Sequence, residues 1–467
     1  MTDKLDSKEK ESKIPHTFVI LFGIIVILAF STYFIPAGEF DTEEIDGTEV
    51  VVPGTYETMD SNPASFIDIF NSVFNGMNEG AEIIFFLLII GGSLGVLSAT
   101  GALDNFLNQI ITKFEGKEVY LIPILLAFFT ISGATFGMSE EAIPYLIIIL
   151  PILIRIGFDA ILIAALPLVG TAIGWAGSIT NPFNVGIAQE IADVQLFSGI
   201  LVRTIFLIIL FIIAAAYLMR YARKILNDPE KSLMYGEQNN IEAFSGESET
   251  NSLKIRDIII LIIFALTIIS IPTTIILFDW FFMEMSATFL IMAIVVGIIA
   301  KMNYNKIAES FTQGCSDLMV ASLAVGLAYS GITILEDSNV IDSIVFGLTN
   351  LVGQFSSNFA AFGMFGAQSA INYIVTSGSG QAALTMPIMA PLSDTLDVTR
   401  QTAVLAFQFG DGISNGFTPT NGALMAGLAI AGVSWFKWFR FLWPLMLLLY
   451  LAGGLYILVI HMFVWSS

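Results

Sequence analysis

The stretch Phe407–Asn421, FQFGDGISNGFTPTN, sets a carboxylate, Asp411, between two glycines inside a region that carries no other charge from Gln401 to Phe436. A charge at membrane depth is costly unless it lies in a watery or protein-lined cavity with a partner. Gly410, Gly412, Gly416 and Pro419 fall within ten residues, a density that opposes a continuous helix. The expected structure is a transmembrane helix broken in its middle. Its freed backbone groups then line a site rather than face lipid.

An echo lies in the first half, at GWAGSITNPFN, Gly174–Asn184. Aligning Pro182 with Pro419 pairs Asn184 with Asn421 and Gly174 with Asp411, and it leaves Arg203 and Arg440 the same 21 residues downstream. A second irregular stretch precedes each break: SGATFGMSEEAIP, Ser132–Pro144, and TSGSGQAALTMP, Thr376–Pro387. Gly137 and Gly380 both sit seven residues before a proline in these stretches. Four irregular segments in matching order predict a transporter built from two structural repeats.

Composition supports the membrane reading. With 467 residues, 55% hydrophobic and a mean hydropathy of +0.80, the chain is polytopic rather than soluble with a single span. The one cysteine, Cys315, rules out an internal disulfide and thiolate metal clusters. The two histidines, His16 and His461, lie at opposite ends, which argues against a histidine zinc site. Net charge is −21, but much of it is local, because Glu39–Asp60 holds eight acids and no Lys or Arg. Such a block reads as solvated surface. The apolar run Thr17–Ile35 exceeds a normal signal core and lacks a small-residue cleavage site, so it reads as a retained first helix.

The expected fold is an all-α polytopic membrane protein with two inverted repeats, each holding a re-entrant hairpin and a broken transmembrane helix, arranged as a scaffold and a transport domain. The division is a cytoplasmic tail at 1–13, a first transmembrane helix at 14–35, an acidic extracytoplasmic loop at 36–62 and a first repeat at 63–222, with its hairpin at 119–155 and broken helix at 160–190. A cytoplasmic loop at 223–256 and connecting transmembrane helices at 257–301 lead to a second repeat at 306–462, with its hairpin at 358–393 and broken helix at 400–432. Pro63–Asn78 reads as an interfacial amphipathic helix. The hairpin reading rests on length. The thirteen-residue arms Val119–Ile131 and Ala142–Ile154 reach only about 20 Å at ~1.5 Å per residue, against a hydrocarbon core of ~30 Å.

Counting sides tests the division. With the N-terminus in the cytoplasm and each hairpin returning to the face it left, Lys113, Lys117, Arg155, the 220–256 charges, Lys301, Lys306, Lys437 and Arg440 all fall inside. Only Arg203 and Arg400 of the nineteen Lys and Arg fall outside, a strong positive-inside bias. The C-terminus is then extracytoplasmic, and the repeats run in opposite senses.

Asp411 is the leading substrate or ion ligand, about 16 Å of helix from Arg400 at the outer face. Its plain alternative is a carboxylate that caps a half-helix or pairs with a buried polar group. Glu140 and Glu141 read equally as ligands or as first-turn acids behind a Ser139 cap. The small polar residues Ser178, Thr180, Asn181, Asn184, Ser377, Ser379, Ser414, Asn415, Thr418, Thr420 and Asn421 offer hydroxyls, amides and freed carbonyls. Half-helix N-termini suit an anionic group, and carbonyls with hydroxyls suit Na⁺ or an ammonium group. Singly each is more often a packing residue, and only the clustering at four break points lifts them.

At these residues the chain resembles a known family. TFGMSEEAIP, ITNPFNVGIAQ, TSGSGQAALTMPIMAPL and FQFGDG together look like the YfcC-type carriers, which are related to DcuC-like dicarboxylate carriers within the wider ion-transporter superfamily. The resemblance runs from Ile14 to about Ile460. It implies a multi-pass plasma-membrane protein that is a homodimer with a scaffold, a transport domain and elevator-like alternating access. It also implies a small-molecule substrate, in some relatives arginine or ornithine and in others a dicarboxylate.

Three carboxylates near the proposed site with no nearby Lys or Arg favour a cationic ligand. A basic amino acid suits this, its carboxylate at a half-helix N-terminus and its side-chain cation at Asp411 or Glu140/Glu141. A dicarboxylate is the runner-up and needs Na⁺ or protons on those acids. Na⁺ or H⁺ is thus the coupling ion to consider, with any Na⁺ held at the break points, and no other cofactor or nucleic-acid partner is indicated. Catalysis is not expected. An intramembrane aspartyl protease needs two membrane aspartates, and FQFGD lacks the first glycine of a GxGD motif. A channel is the remaining different class, to be separated by saturable counterflow.

Overall fold

The architecture is nearly all helical, as the apolar periodicity demands. The computed structural model describes residues 17–45, 48–102, 105, 118–236, 254–278, 280 and 282–465. The expected tail at 1–13, Lys113, Lys117 and the middle of the 223–256 loop lie outside the described residues. Seven helical stretches among the described residues are long and apolar enough to cross a membrane.

One departure lies in the acidic loop. Within it β1 (Gly38–Glu39) pairs antiparallel with β4 (Glu57–Thr58), and β2 (Thr42–Ile45) pairs with β3 (Thr48–Val51) in register Thr42 to Val51. The all-α expectation is corrected here: Thr, Val and Ile supply five of the eight residues of β2 and β3, and β-branched residues favour a pleated surface. The ribbon is also anchored. Phe40 N–H donates to Asp342 at 3.0 Å, and the Tyr56 ring stacks on Phe346 with centroids 4.1 Å apart.

The helices fall into two packed groups. The first contains α1 (Thr17–Ser31), α2 (Phe66–Glu79), α3 (Ala81–Ala99), α9 (Ile255–Phe278), α10 (Phe282–Ile299), α11 (Tyr304–Asp317) and α12 (Met319–Asp337). Here α2 packs on α12 and α3 on α11, so each amphipathic helix crosses to the apolar helix of the other half. The second group contains α4 (Leu121–Thr135), α5 (Ala142–Arg155), α6 (Ala160–Gly177), the short α7 (Ile187–Ile191) and α8 (Ile200–Asn227) from the first half. From the second half it takes α14 (Ser357–Asn372), α15 (Gly378–Thr395), α16 (Arg400–Asn415) and α18 (Trp435–Phe463). The short helix α13 (Ile341–Val352) links the groups in sequence, and α17 (Gly422–Ile430) packs against α12 of the first group.

Both halves of the second group pack in one pattern. Helices α4, α5 and α8 surround α6, as α14, α15 and α18 surround α16, and α6 packs on α16. The crossing of α6 and α16 is close enough to dictate a residue. A Cβ on Gly412 would lie 2.1 Å from the Ala176 nitrogen, closer than any side chain permits.

Two hairpin arms differ from the lengths read in the sequence. With the turn that precedes it, the first arm is helical over Glu118–Thr135, 18 residues, because Gly133 stays in the helix where a Cβ would meet the Thr171 carbonyl at 2.8 Å. The return arm of the second hairpin starts at Gly378 and runs 18 residues to Thr395. Its cap, Ser377, draws Gly378–Gln381 from the expected tip into the first turn.

Candidate functional site

Helix ends carry unpaired backbone groups that need partners when buried, and the two breaks supply them to the hairpins. Thr180 Oγ1 donates to the Thr135 carbonyl at 3.2 Å, and Asn181 Nδ2 donates to the Gly133 carbonyl at 3.2 Å, both at the end of α4. In the second half Thr420 Oγ1 donates to the Tyr373 carbonyl at 2.8 Å, just past the end of α14. Each following asparagine then caps the helical turn after its break. Asn181 Oδ1 accepts from Phe183 N–H at 2.9 Å, and Asn421 Oδ1 accepts from Leu424 N–H at 2.8 Å.

These caps correct the register between the halves. Helix α6 is capped by Asp159 and α16 by Thr399, and Asn181 and Asn421 each lie 22 residues further on. Asn181 therefore corresponds to Asn421, Trp175 to Asn415 and Thr171 to Asp411. The proline alignment paired Asn184 with Asn421 and Gly174 with Asp411, and it misleads because Pro182 opens a helical turn whereas Pro419 precedes its cap by two residues. Arg203 and Arg440 part company as well: Arg203 is fully buried and Arg440 exposed.

A cavity of about 420 Å³ lies where the elements converge. Gly137 and Ser139–Glu141 from the first hairpin tip line it together with Val375–Gly380 from the second. Thr171, Trp175, Asn415 and Asn421 enter from the broken helices, and Glu79, Tyr329 and Glu336 close it from α2 and α12. It thus sits between the two helix groups. Four carboxylates line it, Glu79, Glu140, Glu141 and Glu336, and no Lys or Arg does so among the described residues.

The hairpin tips are shaped for this position. Gly137 takes φ +79°, where only glycine fits freely, and a Cβ there would lie 2.8 Å from Asn181 Oδ1. Trp175 Nε1 ties the same tip by donating to the Met138 carbonyl at 3.0 Å. Glu141 is buried and its Oε2 accepts from Ser139 N–H at 2.9 Å, whereas Glu140 is half-buried. The expected Ser139 cap with acids in the first turn is corrected here: α5 begins at Ala142, and Glu141 holds its cap position without a side-chain cap bond. Ser377 Oγ accepts from Gly380 N–H at 3.2 Å and lies 3.3 Å from Ser379 Oγ.

Asp411 stands one layer behind the cavity. It is fully buried, is not among the lining residues, and takes no part in the ion pairs among the described residues. Asn184 Nδ2 donates to its Oδ2 and Asn415 Nδ2 to its Oδ1, the latter at 2.9 Å. Asn415 accepts in turn from Asn421 Nδ2 at 3.0 Å, which links the buried carboxylate to the cavity wall. Ser414 accepts from Asn372 at 2.6 Å. Ser178 Oγ, Asn184 Oδ1 and Thr418 Oγ1 are buried without a hydrogen-bond partner among the described residues.

Of the residues singled out in the sequence, Ser139, Glu140, Glu141, Ser377, Ser379, Asn415 and Asn421 meet in the cavity. Asp411, Ser178, Thr180, Asn181, Asn184, Ser414, Thr418 and Thr420 form the shell around it. Glu79, Glu336, Tyr329 and Trp175 were not singled out. Glu79 and Glu336 each stand at or near the C-terminal end of a helix, without a basic residue within ten positions. That is the signal that could have found them.

The family model for the DcuC C4-dicarboxylate anaerobic carriers matches residues 14–462. The chain belongs to the DcuC family. YfcC of Escherichia coli K12, whose name gives basic amino acid antiport as a provisional assignment, is 33% identical over 91% of this chain and 92% of its own. An uncharacterised Haemophilus influenzae protein is 27% identical over 97% of this chain and 98% of its own. Among solved structures, the Neisseria gonorrhoeae antimetabolite efflux pump MtrF aligns at a TM-score of 0.38 and 16% identity, covering 97% of this chain and 96% of its own. The Alcanivorax borkumensis transporter YdaH aligns at 0.42 and 13%, covering 97% and 99%. As a DcuC-family chain with seven apolar helices of spanning length, this protein is a multi-pass membrane transporter.

Proposed function

We propose that this DcuC-family transporter exchanges basic amino acids of the arginine or ornithine type across the plasma membrane. The carrying observation is the charge of the cavity, four carboxylates with no Lys or Arg among the described lining residues. Opposite charge lowers the cost of placing a cation there, and a bare dicarboxylate meets repulsion. The name of the E. coli relative supports the same substrate class. The cavity's place between two helix groups supports an elevator-type mechanism, in which the hairpins and broken helices carry the substrate past the rest. The inverted sense of the repeats, the re-entrant hairpins, the cytoplasmic N-terminus and the dimer belong to this proposal.

The second reading is a dicarboxylate carrier coupled to Na⁺ or H⁺. The unpartnered oxygens of Ser178, Asn184 and Thr418 favour it, since hard oxygen ligands suit a small cation and Asn184 also holds Asp411 through its amide. Uptake into proteoliposomes separates the two. Arginine, ornithine, lysine, succinate and neutral amino acids are compared with and without a Na⁺ gradient. Exchange confined to the basic amino acids supports the first reading, and Na⁺-dependent succinate uptake overturns it.

A further inference from the structure

We infer that Asp411 is a positioning residue: it turns the amides of Asn415 and Asn421 so that the cavity wall presents N–H donors, and thereby gives the site its recognition of a substrate carboxylate. The inference rests on the reading of the cavity as an amino acid site.

With Asp411 ionised, the polarity of this wall is fixed at both ends. A carboxylate only accepts and a backbone N–H only donates. Asp411 Oδ1 therefore takes the Nδ2 of Asn415, at 2.9 Å, and Leu424 N–H takes the Oδ1 of Asn421, at 2.8 Å. Between them Asn421 Nδ2 donates to Asn415 Oδ1 at 3.0 Å, so the chain runs in one direction without a mismatch. Each Nδ2 keeps a second N–H, and both residues line the cavity.

The neighbouring surface has the same sign. Gly378, Ser379 and Gly380 line the cavity in the first turn of α15, where the dipole favours anions and first-turn backbone N–H groups lack intrahelical partners, that of Gly380 being taken by the Ser377 cap. This turn also passes near Asp411, for a Cβ on Gly378 would lie 2.5 Å from the Trp175 ring and 3.2 Å from Asp411 Oδ2. The cavity is thus bipolar, with donors from α15, α16 and the second break on one side and Glu79, Glu140, Glu141 and Glu336 elsewhere on its wall. A molecule with an anionic and a cationic end engages both. One with a cationic end alone engages half.

Replacing Asp411 by leucine keeps the bulk and removes the acceptor, so Asn415 Nδ2 loses the partner that orients it. Asparagine at this position is the conservative control, because its oxygen can still accept from Asn415 while Asn184 turns its unpartnered Oδ1 to accept from the new amide.

The test compares arginine with agmatine, the same molecule without its carboxylate, by competition for binding to the purified full-length protein. Asp411→Asn is expected to stay near the wild-type arginine-to-agmatine ratio, whereas Asp411→Leu is expected to lower the affinity for arginine about tenfold, as for a lost charge-assisted hydrogen bond, and to leave agmatine within about threefold, the margin allowed for context. The arginine-to-agmatine ratio then collapses in Asp411→Leu. Asn415→Ala, which leaves the carboxylate in place, should reduce the same ratio and serves if Asp411→Leu fails to fold. A uniform loss of both ligands, a selective loss of agmatine, or an unchanged ratio in the Asn415 variant overturns the inference while leaving the substrate reading intact. Wild-type protein that binds neither molecule overturns the substrate reading and the inference with it.

Discussion

Asn184, in the first break, donates its side-chain amide to the carboxylate of Asp411, in the second. The two halves of the chain thus share a buried polar contact just beyond the end of α6, beside the contacts of Gln408 with Arg203 and with the Ala176 carbonyl. Asn184→Ala removes a donor from a fully buried carboxylate, a loss that costs roughly 1–3 kcal/mol for an unsatisfied buried group and more for a charged one. Thermal unfolding in detergent should show a clear fall in the midpoint. A wild-type midpoint would show that the contact contributes nothing.

The crossing of α6 and α16 makes a second prediction. Gly412→Ala places a Cβ 2.1 Å from the Ala176 nitrogen, and backbone cannot yield as a flexible side chain can. Overpacking of this kind costs about 1–3 kcal/mol or more, so folded protein recovered by size-exclusion chromatography should drop sharply. Gly366→Ala in α14 is the control, because nothing lies within 4 Å of a Cβ there. It should be neutral or slightly stabilising, by about 0.5–1 kcal/mol as for Gly→Ala within a helix. Equal behaviour of the two variants would contradict the close crossing.

How much of this could be read beforehand follows from what is local. Gly137, Asn181, Ser377 and Asn421 act through turns and caps, whose chemistry is set within a few residues, so glycine, proline and asparagine spacing marked the tips and breaks. Glu79 and Glu336 carry a local signal, an acid at a helix end far from any basic residue, but their place on the cavity wall comes from the packing of α2 and α12, which no local pattern encodes. The register between the halves was misread because proline is a conspicuous marker with two structural uses, and the caps at Asp159 and Thr399 decide it. Asp411 was legible as important. Its place behind Asn415 was not, since a single residue's depth depends on the neighbouring chain.

The charge distribution predicts sidedness. With the 220–256 segment cytoplasmic, a single cysteine placed at the exposed Tyr235 position in a Cys315→Ser background should resist an impermeant thiol reagent in intact cells and react once the membrane is opened. A cysteine replacing the exposed Met59 of the acidic loop should react in both. Labelling of position 235 in intact cells would reverse the topology.

Glu79 and Glu336 give the prediction that most directly divides the two substrate readings. Both are exposed on the wall of the cavity, while Glu140 is half-buried among the hairpin residues. Charges in contact with water interact weakly, by about 0.2–1 kcal/mol per pair, and salt screens them over about 10 Å at 0.1 M. Glu79→Gln and Glu336→Gln should therefore each weaken arginine binding only about two- to fivefold at low salt, with the difference shrinking as salt is raised. Glu140→Gln should cost about tenfold and persist in salt, as for a less screened charge-assisted contact. If the cargo is a dicarboxylate the sign inverts, because each neutralised acid removes a repulsion and succinate should bind more tightly to every variant. Competition binding of arginine and succinate at two salt concentrations, on the wild type and the three variants, reads both signs in one experiment. Tighter succinate binding with unchanged arginine binding would end the basic amino acid reading.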